Sequence, residues 1–218
     1  MLKAENIVKQ YGDLTVLKDI NLTIDSRKIV SIVGASGAGK STLLHILGTL
    51  DQPDRGKVTL QGRDLTQLKG NELAAYRNQN IGFIFQFHNL LPEFTALENV
   101  CIPAYLANGR NDKEVAKRGR ELLGLLGLEK RTDHKPSQMS GGEQQRTAVA
   151  RALMNQPAVV FADEPSGNLD SKNAEDLHQL FFRLRDEFGQ TFVIVTHNEE
   201  LANMADQKLE IVDGIISR

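Results

Sequence analysis

The sequence predicts an α/β protein with a core on a mainly parallel sheet, an antiparallel β layer at the N-terminus and an inserted α-helical subdomain. Three observations carry this prediction. Short runs around residues 30, 83, 160 and 194 are almost continuously apolar, as strands covered on both faces should be. The first 27 residues alternate instead, over Lys3–Val8 and Val16–Ile24 around the turn Tyr11-Gly12-Asp13, which suits an antiparallel layer. Between Gln86 and Pro157 the strand pattern stops and helical spacing replaces it.

In chain order, the candidate strands are Lys28–Val33, Lys57–Leu60, Ile81–Phe85, Ala158–Ala162, Thr191–Thr196 and Lys208–Val212. Ser41–Leu50 reads as a helix opened by a glycine-rich loop. Thr95-Ala96-Leu97-Glu98 has the form of a capping box and predicts a helix start. Asp112–Leu126 puts Val115, Leu122, Leu123 and Leu126 on one helical face. A further helix is expected over Gly142–Asn155, with loops near Asn108-Gly109-Arg110 and at Asp133–Ser137. The six prolines are expected outside helix interiors. The whole chain, 1–218, is expected to be one domain, with an α/β core at 1–86 and 157–218 and a helical subdomain at about 87–156.

Composition narrows the function. Lys and Arg total 26 against 28 Asp and Glu, a net charge of −2, without the basic excess of a nucleic-acid binder. Cys101 stands alone, so no intrachain disulfide can form, and it reads as a small buried apolar residue. No apolar run approaches the ~18 residues of a membrane span, and Met1–Asn6 lacks the pattern of a signal peptide. A soluble cytoplasmic protein is expected, with no direct membrane insertion. His45, His88, His134 and His178 lack metal-ligand spacing and read as packing or surface residues.

Gly34-Ala35-Ser36-Gly37-Ala38-Gly39-Lys40-Ser41-Thr42 follows an apolar strand and opens a helix, the context a phosphate-binding loop requires. The core is therefore expected to be that of a P-loop NTPase. Its glycines let backbone N–H groups curl inward, and the helix N-terminus adds partial positive charge. Lys40 would reach the β- and γ-phosphates, and the Ser41 hydroxyl would bind Mg²⁺. A second apolar strand ends in Asp163-Glu164, adjacent acids that suit the Mg²⁺ shell and the activation of water respectively.

Met139-Ser140-Gly141-Gly142-Glu143-Gln144-Gln145-Arg146 is the most discriminating segment. Ser140 and Glu143 form a second capping box, and the two glycines leave the backbone bare, so this helix start is a second anion site. If the two sites cannot meet within one subunit, two chains must pair head to tail.

These motifs, with Gln86, Asn168-Leu169-Asp170 and His197 in the same order, resemble those of the ATP-binding-cassette (ABC) ATPases over the whole chain. The resemblance implies a RecA-like core, ATP and Mg²⁺ as ligands, ATP hydrolysis and an ATP-dependent dimer of two copies. It also implies residue roles. Tyr11 would stack on adenine with Val16 in the same pocket, and Gln86 would sense Mg²⁺ and the attacking water. Ser140, Gly141, Gly142 and Glu143 would meet the γ-phosphate of ATP held by the opposite subunit, and Asp170 would help couple the two sites. His197 would contact the γ-phosphate and help hold Glu164. Met139 and Glu143 depart from the family's commoner leucine and glutamine, without loss of volume or of the capping box.

No coiled-coil insertion and no second cassette is present, which sets aside the DNA-repair and translation branches. Glu164-Pro165-Ser166-Gly167-Asn168-Leu169-Asp170 resembles the transport group that includes lipoprotein-release, macrolide-efflux and cell-division cassettes. Phe85–Val100 and Leu43–Asp51 are most similar to the lipoprotein-releasing branch. That likeness implies a peripheral subunit on the cytoplasmic face of the inner membrane. Two transmembrane permease subunits would dock near Phe87–Phe94, where Phe87, Leu90, Leu91, Pro92 and Phe94 supply apolar surface.

Overall fold

The computed structural model describes residues 1–107 and 112–217, so the loop expected at Asn108-Gly109-Arg110 lies outside the described residues. The chain opens with β1 (Leu2–Tyr11), β2 (Leu14–Ile24), β3 (Ile29–Val33), α1 (Lys40–Leu47), β4 (Arg55–Leu60) and β5 (Arg63–Asp64). It continues through α2 (Gly70–Asn80), β6 (Ile81–Phe85), α3 (Ala96–Leu106), α4 (Asp112–Leu125) and α5 (Gly141–Leu153). It closes with β7 (Val159–Asp163), α6 (Ser171–Phe188), β8 (Phe192–Val195), α7 (Glu199–Met204), β9 (Gln207–Val212) and β10 (Ile215–Ser217). No helix among the described residues is long and apolar enough to cross a membrane.

Two compact units emerge. One holds Met1–Arg77 and the chain from Phe181 onward. Its antiparallel layer runs β2-β1-β4-β5, with Leu2 opposite both Ile24 and Leu60. The alternating first segment thus forms the layer it predicts, and Lys57–Leu60 joins it. In the same unit β3 is flanked in parallel by β8, from Ile29–Phe192 to Ile32–Val195, and by β9, from Val30–Gln207 to Val33–Glu210. Every residue of β3 and β8 is buried, which is why these runs carry no polar alternation. Helix α1 buries Leu43, Leu44, Ile46 and Leu47.

The other unit spans Asn78–Leu180. Strands β6 and β7 pair in parallel from Ile81–Val159 to Phe85–Asp163, and the described residues between them hold helices and turns but no strand. Val115, Leu122 and Leu123 of α4 are buried, as their spacing requires, and α5 buries Ala148, Val149, Ala152 and Leu153. Gly119 brings α4 close to α3, since a Cβ there would stand 2.8 Å from the Cys101 sulfur. Cys101 is fully buried, as its small apolar character predicts.

One expectation fails. Pro103 sits inside α3, where it cannot donate to the Asn99 carbonyl one turn back, a loss of about 3 kcal/mol in a helix interior. Packing outweighs that loss: Val100, Cys101 and Ala104 are buried, and Asn78 and Asn155 both donate to the Pro103 carbonyl, at 3.0 and 3.1 Å.

Candidate functional site

The phosphate loop emerges from β3 and runs into α1. Gly34 has φ 148° and a Cβ there would collide with the Ile211 carbonyl of β9, while Gly39, at φ 102°, would press a Cβ within 2.8 Å of Leu17. Both positions therefore demand glycine, and the loop backbone can hug the strands beside it. Gly39 caps α1 without a side-chain acceptor for the helix's first N–H groups. The Lys40 ammonium donates to the carbonyls of Gly34 and Ala35, at 2.9 Å each, which holds it across the loop. Ala35, Ser36, Gly37 and Ser41 are exposed, whereas Gly34, Ala38 and Thr42 are partly covered. Val16 and the loop backbone from Gly34 to Ala38 line one cleft of about 510 Å³ with the hairpin Val212–Gly214. A glycine-rich turn, an ammonium and an uncapped helix start thus come together after β3.

His197 leaves the same strand ends. It follows β8 and buried Thr196, whose N–H reaches the Ile32 carbonyl at 3.2 Å, and its side chain is exposed. Tyr11, 51% exposed, ends β1. Its hydroxyl donates to Asp51 at 2.6 Å, and nearly buried Lys9 donates to the other Asp51 oxygen at 2.9 Å while standing over the Tyr11 ring at 5.1 Å. Partial burial disfavours the Asp51 charge, but bonds from Tyr11 and Lys9 outweigh it and hold its pKa below the ordinary carboxylate value. The bond to Asp51 raises the Tyr11 pKa and anchors the hydroxyl end of the ring. Sequence reasoning did not find Lys9 and Asp51; a lysine at an inward-facing strand position was the available signal.

In the second unit, Gln86 and Asp163–Glu164 leave the ends of the paired strands β6 and β7, with Phe85 opposite Asp163. Glu164 has φ 46°, a left-handed conformation that costs on the order of 1 kcal/mol for a residue with a side chain. The loop after it is braced at three points. Buried Gln145 donates to the Pro165 carbonyl at 2.6 Å, His178 lies 3.0 Å from the Ser166 hydroxyl, and Gln86 and Asn168 exchange two bonds. His178 is thus a packing residue, as expected.

Helix α5 begins at Gly141 behind the Ser140 cap, with the capping box complete: Ser140 accepts from the Glu143 N–H at 3.3 Å, and Glu143 accepts from the Ser140 N–H at 2.8 Å. The second Glu143 oxygen accepts from Arg131 at 2.7 Å. The Ser140 N–H bond, then Arg131, hold the Glu143 pKa below its ordinary value. Gly142 is buried against the Asn173 side chain, which a Cβ would overlap. Asn173 in turn donates twice to Asp170, from its N–H at 2.9 Å and from its amide at 2.6 Å. The exposed carboxylate of Asp170 is therefore the cap of α6 and is linked through one residue to the α5 start, with its pKa lowered chiefly by that N–H.

After Gln86 the chain presents apolar side chains to solvent: Phe87 is 73% exposed, and Leu91 and Phe94 are also exposed. The backbone beneath is braced by side-chain hydrogen bonds. Buried Asn99 accepts from the Leu91 N–H and donates to the carbonyls of Leu91, Phe94 and Thr95 at 3.0 to 3.1 Å. Arg151 donates to the carbonyls of His88 and Asn89, both held at positive φ. Neither Asn99 nor Arg151 was legible as a framing residue, because each acts on backbone distant in sequence or non-helical.

Residues 17–167 match the ABC transporter family. Lipoprotein-releasing system ATP-binding protein LolD of Bacteroides thetaiotaomicron is 60% identical over 218 residues, covering all of both chains. The LolD of Cytophaga hutchinsonii is 60% identical over 216 residues, 99% of this chain and 98% of that one. Among solved structures, a dimeric post-hydrolysis ATP-binding cassette bound to ADP and phosphate superposes with TM-score 0.90 at 41% identity, over 100% of this chain and 97% of that one. A dimeric bacterial ABC transporter cassette gives 0.91 at 42%, with the same coverage. The chain belongs to the ABC transporter family and has the fold of its cassette. It is an ATP-binding, ATP-hydrolysing member of that family.

Proposed function

We propose that the chain is the ATPase subunit of a lipoprotein-releasing transporter, working as a head-to-tail pair on the cytoplasmic face of the inner membrane. The full-length likeness to LolD supports the cargo class, and the dimeric cassettes support the pair. The observation that carries the transport reading is the exposed, hydrogen-bond-braced apolar loop beside Gln86. Phe87, Leu90, Leu91, Pro92 and Phe94 offer apolar surface that Asn99 and Arg151 hold in shape, which suits a protein partner. Two membrane-embedded subunits would dock there.

In this reading the N–H groups of Gly34, Ala35, Ser36, Gly37, Ala38 and Gly39 receive the ATP phosphates, and Lys40 turns from its two carbonyls to neutralise them. Thr42 closes the same turn, and the Tyr11 ring and Val16 offer apolar faces to the adenine. Ser41, Gln86 and Asp163 would supply a hydroxyl, an amide oxygen and a carboxylate, hard donor types that suit Mg²⁺. When bound, that ion offsets charge on the transferring phosphoryl group. Glu164 accepts the proton of the attacking water, and its fixed left-handed backbone limits where the carboxylate can point. His197 hydrogen-bonds the γ-phosphate.

Ser140, Gly141 and Gly142 present the start of α5 to the ATP held by the second copy, while Glu143 stiffens that helix end. Asp170 and Asn173 pass a change at that end to the loop that carries Glu164. ATP thus favours the closed pair, hydrolysis loosens it, and the subdomain at about 87–156 carries the motion to the membrane subunits.

The test is purification of the chain from its native membrane with a cysteine at Phe87 for cross-linking. Expected are cross-links to a pair of membrane subunits whose loss blocks lipoprotein release. Cross-links to an efflux permease overturn the cargo, and a soluble partner overturns transport.

A further inference from the structure

We propose that Asn168 is a positioning residue that orients the Gln86 amide, so that its oxygen rather than its NH₂ group is left to face a divalent cation. The inference rests on the metal role of Gln86 proposed above and deepens it. An amide side chain presents nearly the same shape either way round, and the two orientations have opposite chemistry toward a cation.

Here the choice is forced from an atom that cannot be reversed. The Gln86 backbone carbonyl can only accept, and the atom of Asn168 that lies 3.1 Å from it is therefore the NH₂ donor. That places the Asn168 oxygen toward the Gln86 side chain. An oxygen can only accept, so the Gln86 atom 3.2 Å away is its NH₂. The Gln86 carbonyl oxygen is then the remaining end of the amide, and the one suited to Mg²⁺.

Asn168 is itself held in place. The loop before it folds back through the Gly167 N–H to the Glu164 carbonyl at 3.0 Å, and the Leu169 N–H reaches the Ser166 carbonyl at 3.1 Å. A Cβ on Gly167 would stand 2.9 Å from the Gln86 NH₂, so the absence of a side chain lets the loop close on Gln86. Gln145 and His178 anchor the two residues between. Orientation of the amide is thereby set by the same loop that carries Glu164.

The experiment measures affinity of the intact chain for a fluorescent ATP analogue with Mg²⁺ and with EDTA, taking the ratio as the metal-dependent gain. Asn168→Ala is expected to cut that gain about twofold, with metal-free affinity unchanged, because an amide free to take both orientations offers its oxygen only about half the time. In a Gln86→Ala background the same substitution should cost nothing. In a Gln86→Glu background, where both terminal atoms are oxygens, removing the Asn168 oxygen should relieve repulsion and raise the gain. An equal loss in all three backgrounds assigns Asn168 a merely structural role and overturns the proposal. So does an unchanged gain for Asn168→Ala when Gln86→Ala abolishes it. If Gln86→Ala itself leaves the gain intact, the metal role of Gln86 falls and the proposal with it.

Discussion

Glycine stands at both helix starts, as the N-cap Gly39 before α1 and as the first residue Gly141 of α5, yet the two N-termini are finished in opposite ways. Gly39 gives α1 no side-chain cap, no acid lies in its first turn, and Lys40 adds a positive charge beside it. Ser140 gives α5 a closed capping box, Glu143 lies in its first turn, and Arg131 neutralises that carboxylate. Helix ends attract anions through unsatisfied N–H groups, so the capped end competes less well for a free phosphate than the uncapped one. In the proposed function α1 is the primary seat of ATP. The start of α5 is a second half-site, engaged when another copy presents a nucleotide already bound.

The largest expected effect separates chemistry from either seat. Glu164→Gln should lower turnover about 10²- to 10⁴-fold, the usual scale for a general base, while ATP binding persists and a dimer accumulates. Steady-state hydrolysis with size-exclusion chromatography reads both, and normal turnover would remove Glu164 as the base. Lys40→Ala acts on the primary seat: ATP affinity should fall about 10- to 100-fold, as expected for a charge-assisted contact to phosphate. Unchanged binding would make the two helix ends equivalent and break the comparison.

A complementation experiment tests the second half-site. Gly142→Asp should overlap the Asn173 side chain and place a carboxylate where an anion is expected, so that chain alone should lose hydrolysis with its own phosphate loop intact. Mixing it with a Lys40→Ala chain should restore one composite site in each mixed dimer and about a quarter of wild-type activity overall, because random pairing makes half of the dimers mixed. A mixture with no activity would count against head-to-tail pairing.

The contrast between the two helix ends also marks what the sequence makes legible. The phosphate loop, both capping boxes and the buried strands are contiguous, and each carries its physics within a few residues. Their types, though not every boundary, can be read directly: α1 stops at Leu47 rather than Leu50, and α5 starts at Gly141 rather than Gly142. Helix α2 buries no residue, so it offers no apolar periodicity to find. Pro103 reads locally as a helix breaker, and only the asparagines on its carbonyl and the packing around it say otherwise. The brace from Asn168 to Gln86 spans strands far apart in sequence, as do the bonds from Arg151 to residues 88 and 89. No spacing rule connects such partners. The groups given reactive roles in the proposed function are therefore contiguous motif residues, whereas the groups that brace them are not legible.

The smallest effect is a difference in acid sensitivity between the helix ends. The folded-state pKa of Glu143 is depressed below 4.5, first by the Ser140 N–H and then by Arg131. A depressed carboxylate stabilises the fold above its unfolded pKa, and that contribution is lost as pH falls through the lower folded value. Protonation should leave the Ser140 hydroxyl bond in place and weaken the reciprocal bond and the pair with Arg131, loosening the start of α5 as pH falls below the ordinary glutamate range. No carboxylate in the first turn of α1 makes a comparable contribution. Amide-exchange protection, corrected for intrinsic rates, should therefore fall for Glu143 and Gln144 before it falls for Leu43 on titration from neutral pH. Glu143→Gln keeps the capping geometry without the charge and should flatten the α5 profile. If both helix starts lose protection together in the unsubstituted chain, global unfolding governs both ends and the distinction in their capping has no energetic weight.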